Sequence, residues 1–146
     1  MKKLWPLLFL LACTSQKEEI LINAFEKDKS SISELMLQQQ KAWNAGDLDA
    51  FMLPYLHDES LRFVGSSGLN KGWKTTLDNY KKSYPTIERM GTLLFENQEF
   101  EGLGAEHFLV IGKWNLFRTS DTLSGYYSLV WQKGLEGWEI IADHSS

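Results

Sequence analysis

Past residue 90 the sequence changes its period, and that change limits the folds open to the chain. Four segments, at 90–101, 105–118, 124–133 and 137–145, are rich in aromatic and aliphatic residues. Only Gly102-Leu103-Gly104, Ser120-Asp121-Thr122 and Gly134-Leu135-Glu136-Gly137 separate them. Strand-like runs joined by connections this short pair with their neighbours in antiparallel fashion, so the C-terminal half predicts a four-strand meander. Such a sheet has an apolar face to cover, and the first half of the chain must supply the cover.

That half reads as helical. Ser31 followed by Glu34 fits a capping box, predicting a helix from about Ile32 with Leu35, Met36 and Trp43 on one face and Gly46 as its left-handed C-terminal cap. Asp47 is placed to cap a second helix carrying Leu48, Phe51, Met52 and Tyr55 inward, shortened by Pro54. A short strand is expected at 61–64 and a glycine-rich loop from Gly65 to Gly72. A third helix with Trp73, Thr76, Leu77 and Tyr80 on one face then ends at Pro85. Helices segregated from strands predict an α+β domain in which three N-terminal helices pack on a mainly antiparallel sheet. With 146 residues there is room for one such domain, and a single cysteine cannot close an intrachain disulfide.

The N-terminus carries an address. Lys2 and Lys3 precede an apolar run at 4–12 that is shorter than the roughly 20 residues a bilayer span needs. Leu10-Leu11-Ala12-Cys13 resembles a bacterial lipobox, which implies a signal peptide at 1–12, cleavage before Cys13 and lipidation of that cysteine. Residues 13–29 then form a charged tether, in which an apolar patch at 20–25 is either an extra helical turn or part of the tether. Ser15-Gln16-Lys17-Glu18-Glu19 is similar to the acidic export signals of some surface lipoproteins. The expected location is the cell envelope, lipid-anchored, at the outer membrane or cell surface rather than the inner membrane. Without residues 1–12 the chain keeps 13 Lys and Arg against 19 Asp and Glu, a net charge of −6. A surface so acidic argues against nucleic acid as a partner.

The order of elements, with Asn44-Ala45-Gly46-Asp47-Leu48-Asp49, Gly112-Lys113-Trp114 and the ending from Gly137-Trp138 through Asp143-His144-Ser145, resembles the nuclear transport factor 2-like superfamily, and within it the SnoaL-like branch. The resemblance covers residues 30–146. It implies a cone in which the sheet wraps the helices around one pocket, but no particular reaction, because the family includes isomerases, cyclases, dehydratases and noncatalytic proteins. Ketosteroid isomerases of this fold use a first-helix tyrosine and a first-strand aspartate; aligned through Asn44-Ala45-Gly46-Asp47-Leu48-Asp49, the tyrosine position falls on Gln39 and the base falls near Phe63. A phenylalanine cannot move a proton, so that mechanism is excluded.

Strict alternation along the last strand puts Trp138, Ile140, Ala142 and His144 on the inner face, making His144 the candidate general acid or base and turning Asp143 outward. The competing reading has His144 close the cone mouth through a backbone hydrogen bond. Trp43, Tyr55, Trp73, Trp114, Tyr127 and Trp131 are candidate pocket walls as well as ordinary core residues. Arg62 is a candidate inward guanidinium, able to hold a carboxylate or polarise a carbonyl, whereas Arg118 is placed at the rim. His57 is placed at a helix C-terminus.

No paired histidine spacing suggests a metal, Gly65-Ser66-Ser67-Gly68 lacks nucleophile-elbow spacing, and Gly102-Leu103-Gly104 lacks the third glycine of a dinucleotide loop. No cofactor is expected. Two functions follow: a noncatalytic pocket for a small apolar or aromatic molecule, or an isomerase-, cyclase- or dehydratase-type enzyme built on His144. The strand at 105–118 carries Leu109, Ile111 and Phe117 on one face and Phe108, Val110, Trp114 and Leu116 on the other, so a homodimer through the outer sheet face is also expected.

Overall fold

A computed structural model describes residues 8–146, with side chains from Gln16 onward. Helix α1 (Leu8–Asn44) is followed by a one-turn helix α2 (Leu48–Phe51), strands β1 (Arg62–Gly65) and β2 (Gly68–Lys71), helix α3 (Trp73–Ser83) and a second one-turn helix α4 (Ile87–Met90). The long strands β3 (Thr92–Gly102), β4 (His107–Phe117), β5 (Thr122–Lys133) and β6 (Trp138–Ser145) complete the chain. The fold is α+β: the strands form one curved sheet in the order β2-β1-β6-β5-β4-β3, antiparallel except where β1 runs parallel to β6. The helices pack on its inner face around Trp43, Phe51, Met52, Trp131 and Ile140.

The capping signals at Gly46 and Asp47 act as their residue types dictate. Gly46 takes φ +77°, and Asp47 accepts from the Ala50 amide at 2.9 Å. Ser31 does not cap. Its hydroxyl donates to the Lys27 carbonyl at 3.1 Å from within α1, because no proline or glycine interrupts residues 8–44 and helix propagation carries through the serines. The segment expected as a tether is therefore helical, and its second half is docked. Phe25 packs on Phe108 with ring centroids 5.1 Å apart, and Asp28 accepts from Lys133 Nζ at 2.9 Å and Trp138 Nε1 at 3.3 Å. Lys2 and Lys3, on which the expected signal peptide rests, lie outside the described residues, as does the Cys13 side chain. Among the described residues no helix is long and apolar enough to cross a membrane.

The loop expected over 65–72 is a hairpin, with Gly65 opposite Gly68 and the Ser66-Ser67 pair at its tip. Two bulges shape the rest of the sheet: Gln98 is the extra residue between Asn97 and Glu99 on β3, and Ile141 is the extra residue where Val130 pairs Ala142 but Trp131 pairs Ile140. The edge strand β3 is held to α1 by side chains. Asn44 makes a reciprocal pair with the backbone of Leu93 (3.1 and 2.7 Å), and Gln40 Oε1 accepts from Phe95 N at 2.8 Å. These bonds occupy backbone groups that an edge strand otherwise leaves open.

Candidate ligand-binding site

Between the helices and the inner face of the sheet lies a cavity of about 440 Å³, within the usual range for small-molecule sites. Trp43 of α1, Phe51 of α2, and Tyr80 and Tyr84 of α3 form the helical wall. Phe63, Phe95, Trp114 and Tyr127 come from β1, β3, β4 and β5. The rings interlock edge to face: Trp43 meets Phe51 at 5.1 Å and Tyr84 at 4.9 Å between centroids, and Phe63 meets Tyr80 at 5.7 Å. Gln39, at the position of the isomerase tyrosine, lines the cavity too. Its amide is committed to the Phe51 carbonyl at 3.0 Å, so neither it nor Phe63 offers an acid or base.

The polar centre of the cavity is Asp143, 4% exposed. Tyr55 Oη donates to its Oδ2 at 2.7 Å, and Ser145 Oγ donates to Oδ1 at 2.6 Å. Burial pushes the carboxyl up to about 6, against the lowering effect of these two donors and of His144. Tyr55 and Tyr80 are held well above the ordinary tyrosine range by burial first and by Asp143 second. Tyr127 is likewise raised, by burial, Asp143 and Glu96.

These positions correct the alternation drawn from sequence. Trp138 and Ile140 face inward, but the bulge at Ile141 advances β6 by one residue, so the inner face continues with Asp143 and Ser145 and His144 is exposed. His144 does not line the cavity, and Asp143, expected outside, is at its centre. Arg62 is exposed on β1, where its neighbour Phe63 takes the inward position. Trp73 and Trp131 are also absent from the lining. Trp73 stacks on His57 at 4.1 Å and donates to the Met52 carbonyl at 3.0 Å, whereas Trp131 is fully buried core. Trp43, Tyr55, Trp114 and Tyr127 line the cavity. Arg118 pairs with Asp121 through Nε at 2.6 Å and Nη2 at 2.5 Å. Among the described residues, no group of three or more metal-ligating side chains converges.

Tyr127 crosses β4 at Gly112 to donate to Asn97 Oδ1 at 2.6 Å. A Cβ at Gly112 would collide with the Tyr127 hydroxyl and the Glu96 carbonyl. Glycine is thus required there by close approach, and the same strand then delivers Trp114 to the cavity.

An NTF2-like protein of unknown function from Shewanella oneidensis MR-1 is 39% identical to the chain, over 81% of this chain and 98% of that one, with a TM-score of 0.78. The chain belongs to the NTF2-like family. A domain of unknown function with a cystatin-like fold from Nostoc punctiforme (22% identity, TM-score 0.70, 82% of this chain and 76% of that one) shares the fold. So does an NTF2-like superfamily protein from Salmonella enterica (17%, 0.66, 83% and 91%). No protein-family model and no curated protein matches the chain. Membership of the NTF2-like family accounts for the cone, and leaves the chemistry to the residues inside its cavity.

Proposed function

We propose that this NTF2-like chain is a lipid-anchored envelope protein whose cone binds a small apolar or aromatic molecule without transforming it. The observation that carries the binding reading is a cavity lined largely by aromatic rings around the buried, hydrogen-bonded Asp143 carboxyl. What supports a noncatalytic role is the chemistry of that centre. The hydroxyl of Tyr55 is already committed to Asp143, the neighbouring tyrosines are pushed away from neutral titration, and among the described residues no cationic side chain lines the cavity to stabilise a developing oxyanion. The Leu10-Leu11-Ala12-Cys13 motif supports the anchor. Exposed Phe117 and Tyr126, with Ile111 between flanking strands, support a homodimer through the outer sheet face, which light scattering at about 100 μM would read as twice the chain mass.

The binding experiment uses 2-naphthylmethanol, a neutral bicyclic probe, and follows tryptophan fluorescence. Saturable quenching is expected, unchanged within about twofold in His144→Ala and weakened at least tenfold in Trp114→Ala. Absence of saturable binding both by this alcohol and by the amine of the same body overturns the reading. One observation favours a second reading: a buried carboxyl pushed up to about 6 has the titration of a general base near neutral pH. An isomerase, cyclase or dehydratase of this chain would use Asp143 in place of the exposed His144, and Asp143→Asn would abolish its turnover.

A further inference from the structure

Among the described residues Asp143 is the one acidic side chain lining the cavity, and no lysine, arginine or histidine joins it there. Tyr55 and Ser145 each give it one neutral hydroxyl donor. An ionised carboxylate accepts about four hydrogen bonds, so acceptor capacity remains, and hydroxyls do not cancel its charge. A neutral apolar occupant would expel water from around this carboxylate and leave it unpaired, and an anionic occupant would be repelled. Tryptophan, tyrosine and phenylalanine rings make up much of the lining, beside leucines and uncharged serines and asparagines, and ring faces attract cations where aliphatic walls would not. Charge, hydrogen-bonding capacity and wall chemistry therefore lack the same partner.

We infer that the cavity takes a small aromatic or apolar molecule bearing a protonated amine, its ammonium group on Asp143 and its body against Trp43 and Trp114. The inference rests on the binding reading above and adds the charge of the ligand. It also explains a sequence choice: an aspartate in this apolar site weakens the empty protein unless a bound cation compensates it. The titratable groups facing Asp143 are Tyr55 from the segment after α2, Tyr80 from α3 and Tyr127 from β5, while His144 follows it on β6. The tyrosines, all raised, stay neutral between pH 5 and 8, so Asp143 is the cavity group that titrates there.

The test compares 2-naphthylmethylamine with 2-naphthylmethanol, which has the same body and a neutral donor, by calorimetry on the full chain. At pH 7.5 the amine is expected to bind at least tenfold more tightly. In a His144→Ala background, which removes the neighbouring imidazole, the preference is expected to fall about tenfold by pH 5 as Asp143 takes up its proton. Asp143→Asn is expected to equalise the two probes. Equal or tighter binding of the alcohol to the wild type at pH 7.5 overturns the inference and leaves the binding reading standing. A preference that persists at pH 5 or in Asp143→Asn overturns the role of Asp143. If neither probe binds, the binding reading falls and the inference falls with it.

Discussion

Tyr55 donates its hydroxyl to Asp143 Oδ2 across 2.7 Å, joining the segment after α2 to the last strand over 88 residues of sequence. The contact follows from backbone pairing. Pro54 accepts from Ile140 N at 2.8 Å and Leu56 N donates to the Ile140 carbonyl at 3.0 Å, which sets Tyr55 beside β6 just before its bulge. Tyr55 thus fixes the rotamer of the carboxylate as well as its protonation.

Tyr55→Phe should therefore cost about 1.5–3 kcal/mol at pH 7.5, the usual range for a hydrogen bond to a charged group. It should also raise the Asp143 pKa further above about 6, since the lost bond favoured the ionised form. Denaturant unfolding gives the first quantity and carboxyl NMR titration the second. A pKa that falls would contradict the assigned donor.

Asp143 makes a pH prediction whose sign is opposite to that of a salt-bridged acid. Its folded pKa of about 6 lies above the ordinary aspartate value of 3.8, so between those values the native state holds a proton that the unfolded state has lost. Stability then falls as pH rises through that window, by about 3 kcal/mol from this residue, and is level above it. Asp58, Glu88 and Asp121 are lowered and act in the opposite sense, so the comparison must be with Asp143→Asn. The stability of Asp143→Asn relative to wild type should climb between pH 4 and 6 and then plateau.

Gly112→Ala should cost about 1–3 kcal/mol by overpacking. The added methyl meets the Tyr127 hydroxyl, which must leave Asn97, and the Glu96 carbonyl, which cannot leave without distorting β3. In a Tyr127→Leu background the cost should shrink but not vanish, and chemical denaturation of the four proteins of that cycle measures both parts.

Local signals in the sequence were read correctly where one residue type has one use. Gly46 and Asp47 set the α1–α2 turn, Pro85 follows α3, and the turn clusters mark the ends of β3 to β6 within a few residues. Burial along β4 also alternates as period two requires from His107 to Lys113, before Asn115 and Leu116 are buried in succession. What failed depended on partners distant in sequence. Ile141 looks like any other aliphatic strand residue, and only its pairing against Val130 and Trp131 makes it a bulge, exchanging the faces of Asp143 and His144. An acid within an apolar strand, Ile140-Ile141-Ala142-Asp143, was the available signal, since a carboxylate in such a run is either exposed or functionally held. The Ser31 cap failed for a related reason: a capping box has no force where the helix already continues upstream.

The anchor can be tested together with the geometry of its stalk. Cys13 lies on the backbone of α1, and the first docked residue of that helix that packs on the sheet, Phe25, is 12 positions further along, about 18 Å at 1.5 Å per residue. Between them Ile20, Leu21 and Ile22 are exposed, at 61%, 61% and 56%. Cys13→Ala should move the protein from the membrane to the soluble fraction, because stable anchoring depends on acyl chains at that residue. Exposed apolar residues on the stalk offer a competing means of adhesion, so an Ile20→Ser, Leu21→Ser, Ile22→Ser variant that keeps Cys13 serves as the control and should remain in the membrane fraction. Release of the triple-serine variant, or retention of Cys13→Ala, would place the attachment on the helix surface and not on a lipidated cysteine. Mass spectrometry of the membrane form should find a chain that begins at Cys13 and carries acyl mass.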